Sequence, residues 1–268
     1  MNDKNDIKRL FFGLEVHAPW PQELPEGRVI EESSRHLTLA FLGNVSWLDL
    51  KAKLPEFPKP PFALGTVGLF DHIHFLPPRH PHVVAWHVSW LNEKHAITSY
   101  PYTLWEWLRN LDYNIRDREF LPHVTVARAP FSYKEWRKVF KKIPMMITNL
   151  HLYETTKKLT YKPVWSYPML APFTEIEHTG DLAFTIRGTN IHELSLHAQT
   201  ALAFEFPYLR KLIDQYNQTS LEEIIIHLNE LIRKADEKVG CPFKAVSFHG
   251  EITKTSDNLL EWEMIVDV

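Results

Sequence analysis

Two four-residue stretches, His36-Leu37-Thr38-Leu39 and His123-Val124-Thr125-Val126, alternate polar and apolar side chains with a period of two. A β-strand sends successive side chains to opposite faces, so each stretch is expected in a sheet with its Leu or Val pair in the core. His36 with Thr38, and His123 with Thr125, then leave the other face together. The motifs begin 87 residues apart and so occupy different strands. If those strands are neighbours, two imidazoles and two hydroxyls converge on one cleft.

The rest of the chain supplies a framework for such a sheet. Strand patterns are expected over 10–16, 36–42, 62–70, 83–88, 121–127, 147–154 and 161–169, with helices over 46–54, 104–111 and 133–141. Ser132 followed by Glu135 has the spacing of a helix-capping pair. Pro163, Pro168 and Pro172 interrupt the chain, and the pattern restarts. A strand within 176–188, helices over 191–206 and 220–238, and two antiparallel strands over 244–253 and 260–268 follow. The stripe Leu221, Ile224, Ile225, Leu228, Leu231 and Ile232 gives the second helix a core-facing side. Interspersed strands and helices indicate the α+β class, with one domain over 1–170 and a smaller α+β domain over 171–268.

Composition limits the partners. Of 268 residues, 44% are hydrophobic and 24% charged, as in water-soluble globular chains. A net charge of −3 argues against coating long duplex nucleic acid, which calls for a strongly basic surface. A single RNA end needs only a few local cations. Cys241 is the only cysteine, so no internal disulfide forms and a reducing compartment fits. The apolar run at 10–14 is far shorter than a membrane span, and no signal-peptide pattern precedes it. A cytoplasmic protein without a membrane partner is expected.

The two motifs suit in-line attack on a phosphodiester. One imidazole takes a proton from water and the other gives one to the leaving oxygen, tasks matched to an unperturbed pKa of about 6.5. Thr38 and Thr125 can donate to phosphate oxygens, and Arg128 can neutralise the charge. This chemistry requires no metal. A single His-x-Thr is commonly an ordinary strand histidine, and spacing alone leaves both readings open.

Further matches lie along the chain: Arg9-Leu10-Phe11-Phe12-Gly13-Leu14, His36 through Gly43, Val83-Val84-Ala85-Trp86, Pro122 through Arg128, and Leu150-His151-Leu152-Tyr153-Glu154-Thr155. With these, residues 9–169 resemble the two-histidine phosphoesterase superfamily, specifically the RNA 2',3'-cyclic phosphodiesterase family, also called the 2'-5' RNA ligase family. The resemblance implies a bilobal fold, with two related lobes around a cleft and one His-x-Thr from each. It implies hydrolysis of RNA 2',3'-cyclic phosphate ends to 2'-phosphates without a cofactor, and the reverse 2'-5' ligation. By analogy His123 activates water and His36 protonates the departing 3' oxygen, although the near-symmetric site leaves base and acid interchangeable. Thr38, Thr125 and Arg128 bind the phosphate. Ala18 through Pro25 is Pro-rich where the family has a helix, which alters the substrate entrance.

Residues 173–268 resemble archease, the small protein that assists RtcB-type RNA ligases. The matches are Glu177-His178-Thr179-Gly180-Asp181, Glu193-Leu194, Phe243 through His249, and Val266-Asp267-Val268. The resemblance implies a Ca²⁺ or Mg²⁺ site formed by Asp181, Asp267 and the carboxylate of Val268, with Lys244 contacting a partner or a phosphate. Hard oxygen ligands suit such ions. The plain alternative is that Asp181 caps a turn and Asp267 faces solvent. The segment is shortened between the periodic helix and Phe243. RNA carrying a cyclic phosphate end and an RtcB-type ligase are the implied partners. A non-catalytic RNA-end adaptor, or a phosphodiesterase for small cyclic nucleotides, are the rival readings.

Other side chains have local interpretations. His72, His74, His80, His82 and His87 are expected in or near an exposed Pro/His loop rather than at a zinc site. Trp86, Phe41 and Tyr153 are candidates to stack a terminal base or to pack the core. Arg35, Arg79, Arg116, Arg118, Lys157 and Lys158 are candidate phosphate contacts.

Overall fold

The strand patterns of the first 170 residues assemble into one antiparallel sheet that closes on itself. The computed structural model describes residues 6–92, 96–156, 159–216, 218–248 and 250–268. The strands are β1 (Ile7–His17), β2 (Arg28–Val29), β3 (His36–Ser46), β4 (Val67–Leu76), β5 (Val83–Trp90), β6 (His123–Arg128), β7 (Ile143–Thr155) and β8 (Tyr161–Tyr167). Their order is β1-β3-β6-β5-β4-β7, and β7 pairs back to β1. β8 extends β7, and the short β2 lies beside β6.

Two halves are recognisable within this closed sheet. β3, β1 and β7 are joined by long ladders, as are β6, β5 and β4. The halves meet through four pairs between β4 and β7 and through only one, Leu37 with Val124, between β3 and β6. The expected lobes are therefore the two halves of one sheet, each contributing one His-x-Thr strand.

Alternation along the strands fills the interior. Leu10, Phe12, Leu14, Leu37, Leu39, Val84, Trp86, Val124 and Val126 are all buried in one core. Helices α1 (Trp47–Lys53), α2 (Tyr100–Asn110) and α3 (Tyr133–Val139) follow β3, β5 and β6. Ser132 caps α3 by accepting from the Glu135 amide at 3.4 Å, as its spacing predicts. The strand expected over 62–70 lies later, at Val67–Leu76. The preceding Pro58, Pro60 and Pro61 lack amide donors for a ladder, so Phe62 packs against Tyr100 instead.

The second part carries β9 (Phe173–Ile176), β10 (Leu182–Gly188), α4 (Ile191–Glu205), α5 (Leu221–Val239), β11 (Ala245–Val246), β12 (Thr253–Lys254) and β13 (Leu260–Asp267). Its sheet has the order β11-β13-β10-β9, with β12 also on β13. The continuous strand expected over 244–253 is thus two short pieces. Ile224, Ile225, Leu228, Leu231 and Ile232 of α5 are buried in the second core, as their spacing predicts. Val67 of β4 lies in that core too, and Leu91 and Met146 pack against it, so the two parts share apolar surface. Among the described residues, no helix is long and apolar enough to cross a membrane.

Candidate active site

The single rung between β3 and β6 sets the geometry of the site. Leu37 pairs with Val124, and both are fully buried. Extending this antiparallel register by one residue in each direction sets His36 opposite Thr125, and Thr38 opposite His123. Each imidazole therefore faces the hydroxyl of the other motif, on the side of the sheet away from the core.

Both rings are held in the same way. His36 Nδ1 lies 2.8 Å from the carbonyl oxygen of Ser34, and His123 Nδ1 lies 2.8 Å from that of Leu121. A carbonyl only accepts, so Nδ1 carries the proton in each ring and Nε2 is left for chemistry.

Two cavities meet between them. One, of about 430 Å³, is lined by Thr38, His82, Arg118, Phe120, His123, Thr125 and Arg128. The other, of about 330 Å³, is lined by Arg9, Arg28, His36, Thr38, Phe41, Tyr161 and Arg128. Thr38 and Arg128 belong to both, so they stand between the two histidines. Arg128 Nε is buried without a hydrogen-bond partner. A buried cationic donor in that state calls for an anionic acceptor.

His36 sits in a box of rings. Phe11 and Tyr161 lie 4.6 and 4.7 Å away between centroids, and Tyr153 lies 5.3 Å away. Burial pulls its pKa down to about 4, with the charges of His123 and Arg128 acting the same way and the Ser34 carbonyl opposing them. His123 is lowered too, by burial first and then by Arg118 and His87, against the Leu121 carbonyl. Gly13 makes the box possible. A Cβ there would meet the Leu37 carbonyl oxygen at 3.2 Å, His36 Cδ2 at 3.3 Å and Tyr153 Cε2 at 3.4 Å.

No family model and no curated protein matches the chain. Solved structures do. E. coli LigT complexed with 3'-AMP is 20% identical with a TM-score of 0.45, covering 61% of this chain and 98% of that one. E. coli LigT in apo form is 22% identical with a TM-score of 0.46, covering 62% and 99%. TT0787 of Thermus thermophilus is 16% identical with a TM-score of 0.45, covering 61% and 98%.

The remaining expected residues fall in varied places. Phe41 is 44% exposed at the cleft, with the Arg9 guanidinium 4.8 Å over its ring. Trp86 is fully buried in the core, and Tyr153 is buried against His36, so neither can stack a base. The strand of Trp86 turns it into the core, while Tyr153 is covered on the opposite face by Phe11 and His36. Arg118 lines the cleft, and with Arg116 it lines an adjoining cavity of about 360 Å³ that includes Phe41 and Trp105. Arg35 is buried, with Trp20 4.4 Å from its guanidinium and its Nε donating to the Ile30 carbonyl, and it lines a cavity with Glu15, His17 and Glu32 that shares no lining residue with the two at the histidines. Arg79 is exposed in the turn after β4. Lys157, Lys158 and His249 lie outside the described residues. His72, His74 and His87 belong to β4 and β5 and not to the loop, where only His80 and His82 remain.

In the second part, the pairing of Leu182 with Val266 extends to set Asp181 opposite Asp267. Asp267 accepts from Ser247 Oγ at 3.2 Å, and His178 lies 3.8 Å from Asp181. Lys244 Nζ donates to the Val268 oxygen at 2.6 Å. The Val268 oxygen expected as a cation ligand is thus engaged by the Lys244 ammonium.

Sequence reasoning did not single out Arg9, Arg28 or Tyr161 as site residues. Arg28 reaches the cleft because β2 pairs with β6, with Arg28 opposite Arg128. Glu15 was also missed. His151 first, then His17, with Asn149 and Thr148, hold its carboxyl far below the ordinary range despite burial. This network lies behind Tyr153, whose ring is 5.2 Å from that of His151.

Proposed function

We propose that the first part of the chain hydrolyses 2',3'-cyclic phosphate ends of RNA to 2'-phosphates. The observation that carries the reading is that His123 with Thr125 and His36 line two cavities sharing Thr38 and Arg128, whose Nε is buried without a partner. The cyclic phosphate would rest on Thr38, Thr125 and Arg128. A water oxygen attacks phosphorus and loses its proton to Nε2 of His123. The bond from phosphorus to the 3' oxygen breaks, and Nε2–H of His36 gives that oxygen a proton. A 2'-phosphate and a free 3'-hydroxyl result. Imidazoles supply both proton transfers and arginine the countercharge, so no metal step enters. The substrate's negative charge offsets Arg128 and lets His36 take up its proton despite burial. Phe41 offers an exposed ring for a terminal base, and Arg9, Arg28 and Arg118 add positive charge along the cleft.

The direct test is incubation with an RNA oligomer ending in a 2',3'-cyclic phosphate, in EDTA. The expected product is the 2'-phosphate isomer. A 3'-phosphate product, or binding without turnover, would overturn the reading, the latter in favour of an adaptor. Faster hydrolysis of a small cyclic nucleotide than of the oligomer would move the substrate class.

The second part is proposed as a shortened archease-like module that assists an RtcB-type ligase using the same ends, a reading supported by Asp181 and Asp267 flanking the Leu182–Val266 pair on neighbouring strands. It predicts that the full chain raises the turnover of an RtcB-type ligase and that Asp267→Ala abolishes the effect. No stimulation removes it.

A further inference from the structure

β4 departs from a regular pleat at Asp71. Phe70 pairs with Val88 and His72 pairs with His87, so Asp71 is an extra residue with no partner of its own. In an unbroken strand Asp71 and His72 would face opposite sides. A bulge shifts the phase, so that consecutive side chains can share one face. His74 follows two residues later on that face, and His87 stands across from His72.

The result is a tight donor cluster. Asp71 Oδ1 lies 2.8 Å from His72 Nδ1 and 2.7 Å from His87 Nδ1. The rings of His72 and His87 stack at 4.2 Å. The ligand atoms of Asp71, His72 and His87 all lie within 4.8 Å of one another, the only such group of three among the described residues. It is open to solvent, with the His72 side chain 47% exposed and that of Asp71 29%.

We propose that Asp71, His72 and His87 form a divalent transition-metal site that takes Zn²⁺. Tetrahedral zinc with bonds near 2.0–2.2 Å places its donors on the order of 3.4 Å apart. Asp71 Oδ1 already lies near that spacing from each nitrogen, and the two nitrogens lie within 4.8 Å of each other, so only small shifts are needed. Two imidazoles and one carboxylate favour zinc over calcium or magnesium, which prefer all-oxygen sets. A fourth position remains for water.

The surroundings also fit. A ligating imidazole ordinarily donates its other N–H to a neighbouring acceptor. With His72 bound through Nδ1, its Nε2 carries the proton, and His74 Nε2 lies 3.0 Å away to receive it. His74 would thus orient a ligand without being one. The site adjoins the cleft, because His87 pairs with His123 across β5 and β6. It takes no part in the proton transfers proposed for His36 and His123, and it stands whatever their substrate.

The test uses the full chain, stripped with chelator, desalted, and titrated calorimetrically with ZnCl₂ alone. One ion per chain is expected. Cobalt in its place should give the visible absorption of a tetrahedral centre. His87→Ala and Asp71→Ala should each weaken binding at least 100-fold, His74→Ala by about 10- to 100-fold, and His36→Ala or His80→Ala should leave it unchanged. Circular dichroism checks that each variant folds, and His72→Gln serves where one does not. No stoichiometric binding, weak binding spread over several ions, or a single tight ion retained by both His87→Ala and Asp71→Ala would overturn the site.

Discussion

His36 is an imidazole stripped of water by Phe11, Tyr153 and Tyr161, and in the proposed reaction its charge state governs turnover. Replacing His36 or His123 singly by Ala should lower kcat by about 10²- to 10⁴-fold while leaving RNA-end binding measurable. Arg128 acts on His36 at a distance. Its positive charge disfavours the imidazolium, so Arg128→Gln should raise the pKa of His36. The basic limb of the kcat/KM profile should then move to higher pH, while KM rises by about 10- to 100-fold through loss of the charged phosphate contact. Rates measured from pH 4 to 9 on both proteins would show whether the limb moves. Gly13→Ala pushes a methyl group toward His36 and Tyr153, so kcat should fall more than stability does. At this scale the sequence was informative where alternation was strict. His36, Thr38, His123 and Thr125 could be named in advance because alternation carries each pair on one face, whereas Arg128 falls out of that alternation and comes round only because the register of β5 with β6 skips Val126. Arg9 and Arg28 could not, since their place at the cleft depends on which strands become neighbours. Trp86 and Tyr153 could be named but not placed.

Among the elements, β4 was the least legible. Proline delayed its start, and the bulge at Asp71 reversed its phase, so histidines that look like loop residues in sequence lie on a strand face. No periodic pattern announces a bulge. Helix starts were easier to read, because their capping chemistry is local. At α4, Asn190 accepts from the Glu193 amide at 2.9 Å, and Glu193 Oε2 accepts from the Thr189 amide and hydroxyl at 2.8 and 2.6 Å. Glu193 is only 2% exposed, so its removal opens a gap under the helix start and takes the acceptor from the Thr189 amide and hydroxyl. Glu193→Ala should cost about 2 kcal/mol in urea unfolding with little change in turnover at the first site. An equal loss of turnover would show that α4 supports the cleft directly.

Across the molecule, two cores are joined along a narrow strip. Val67, Leu91 and Met146 start from the first sheet yet serve the second core, which hydrophobicity alone could not reveal, since an apolar side chain does not say which interior it enters. Gly65 lies on this strip. Its amide donates to the Leu170 carbonyl at 2.8 Å, and a Cβ there would stand 2.0 Å from the Ile147 carbonyl oxygen and 3.2 Å from Pro172 Cδ. Backbone must shift to admit it, so Gly65→Ala should cost on the order of 3 kcal/mol. Unfolding followed separately by signals from each part would test this, and a variant as stable as the parent would refute it.

The closed sheet is fastened at β3 and β6 by one rung, Leu37 with Val124, and the two histidine motifs flank that rung. A bound phosphate would therefore work as a clasp, drawing together edges that the backbone leaves nearly unlaced. Amide exchange at Leu37 and Val124 should slow when inorganic phosphate is added, by more than at β1 or β7, where long ladders already keep the chain shut.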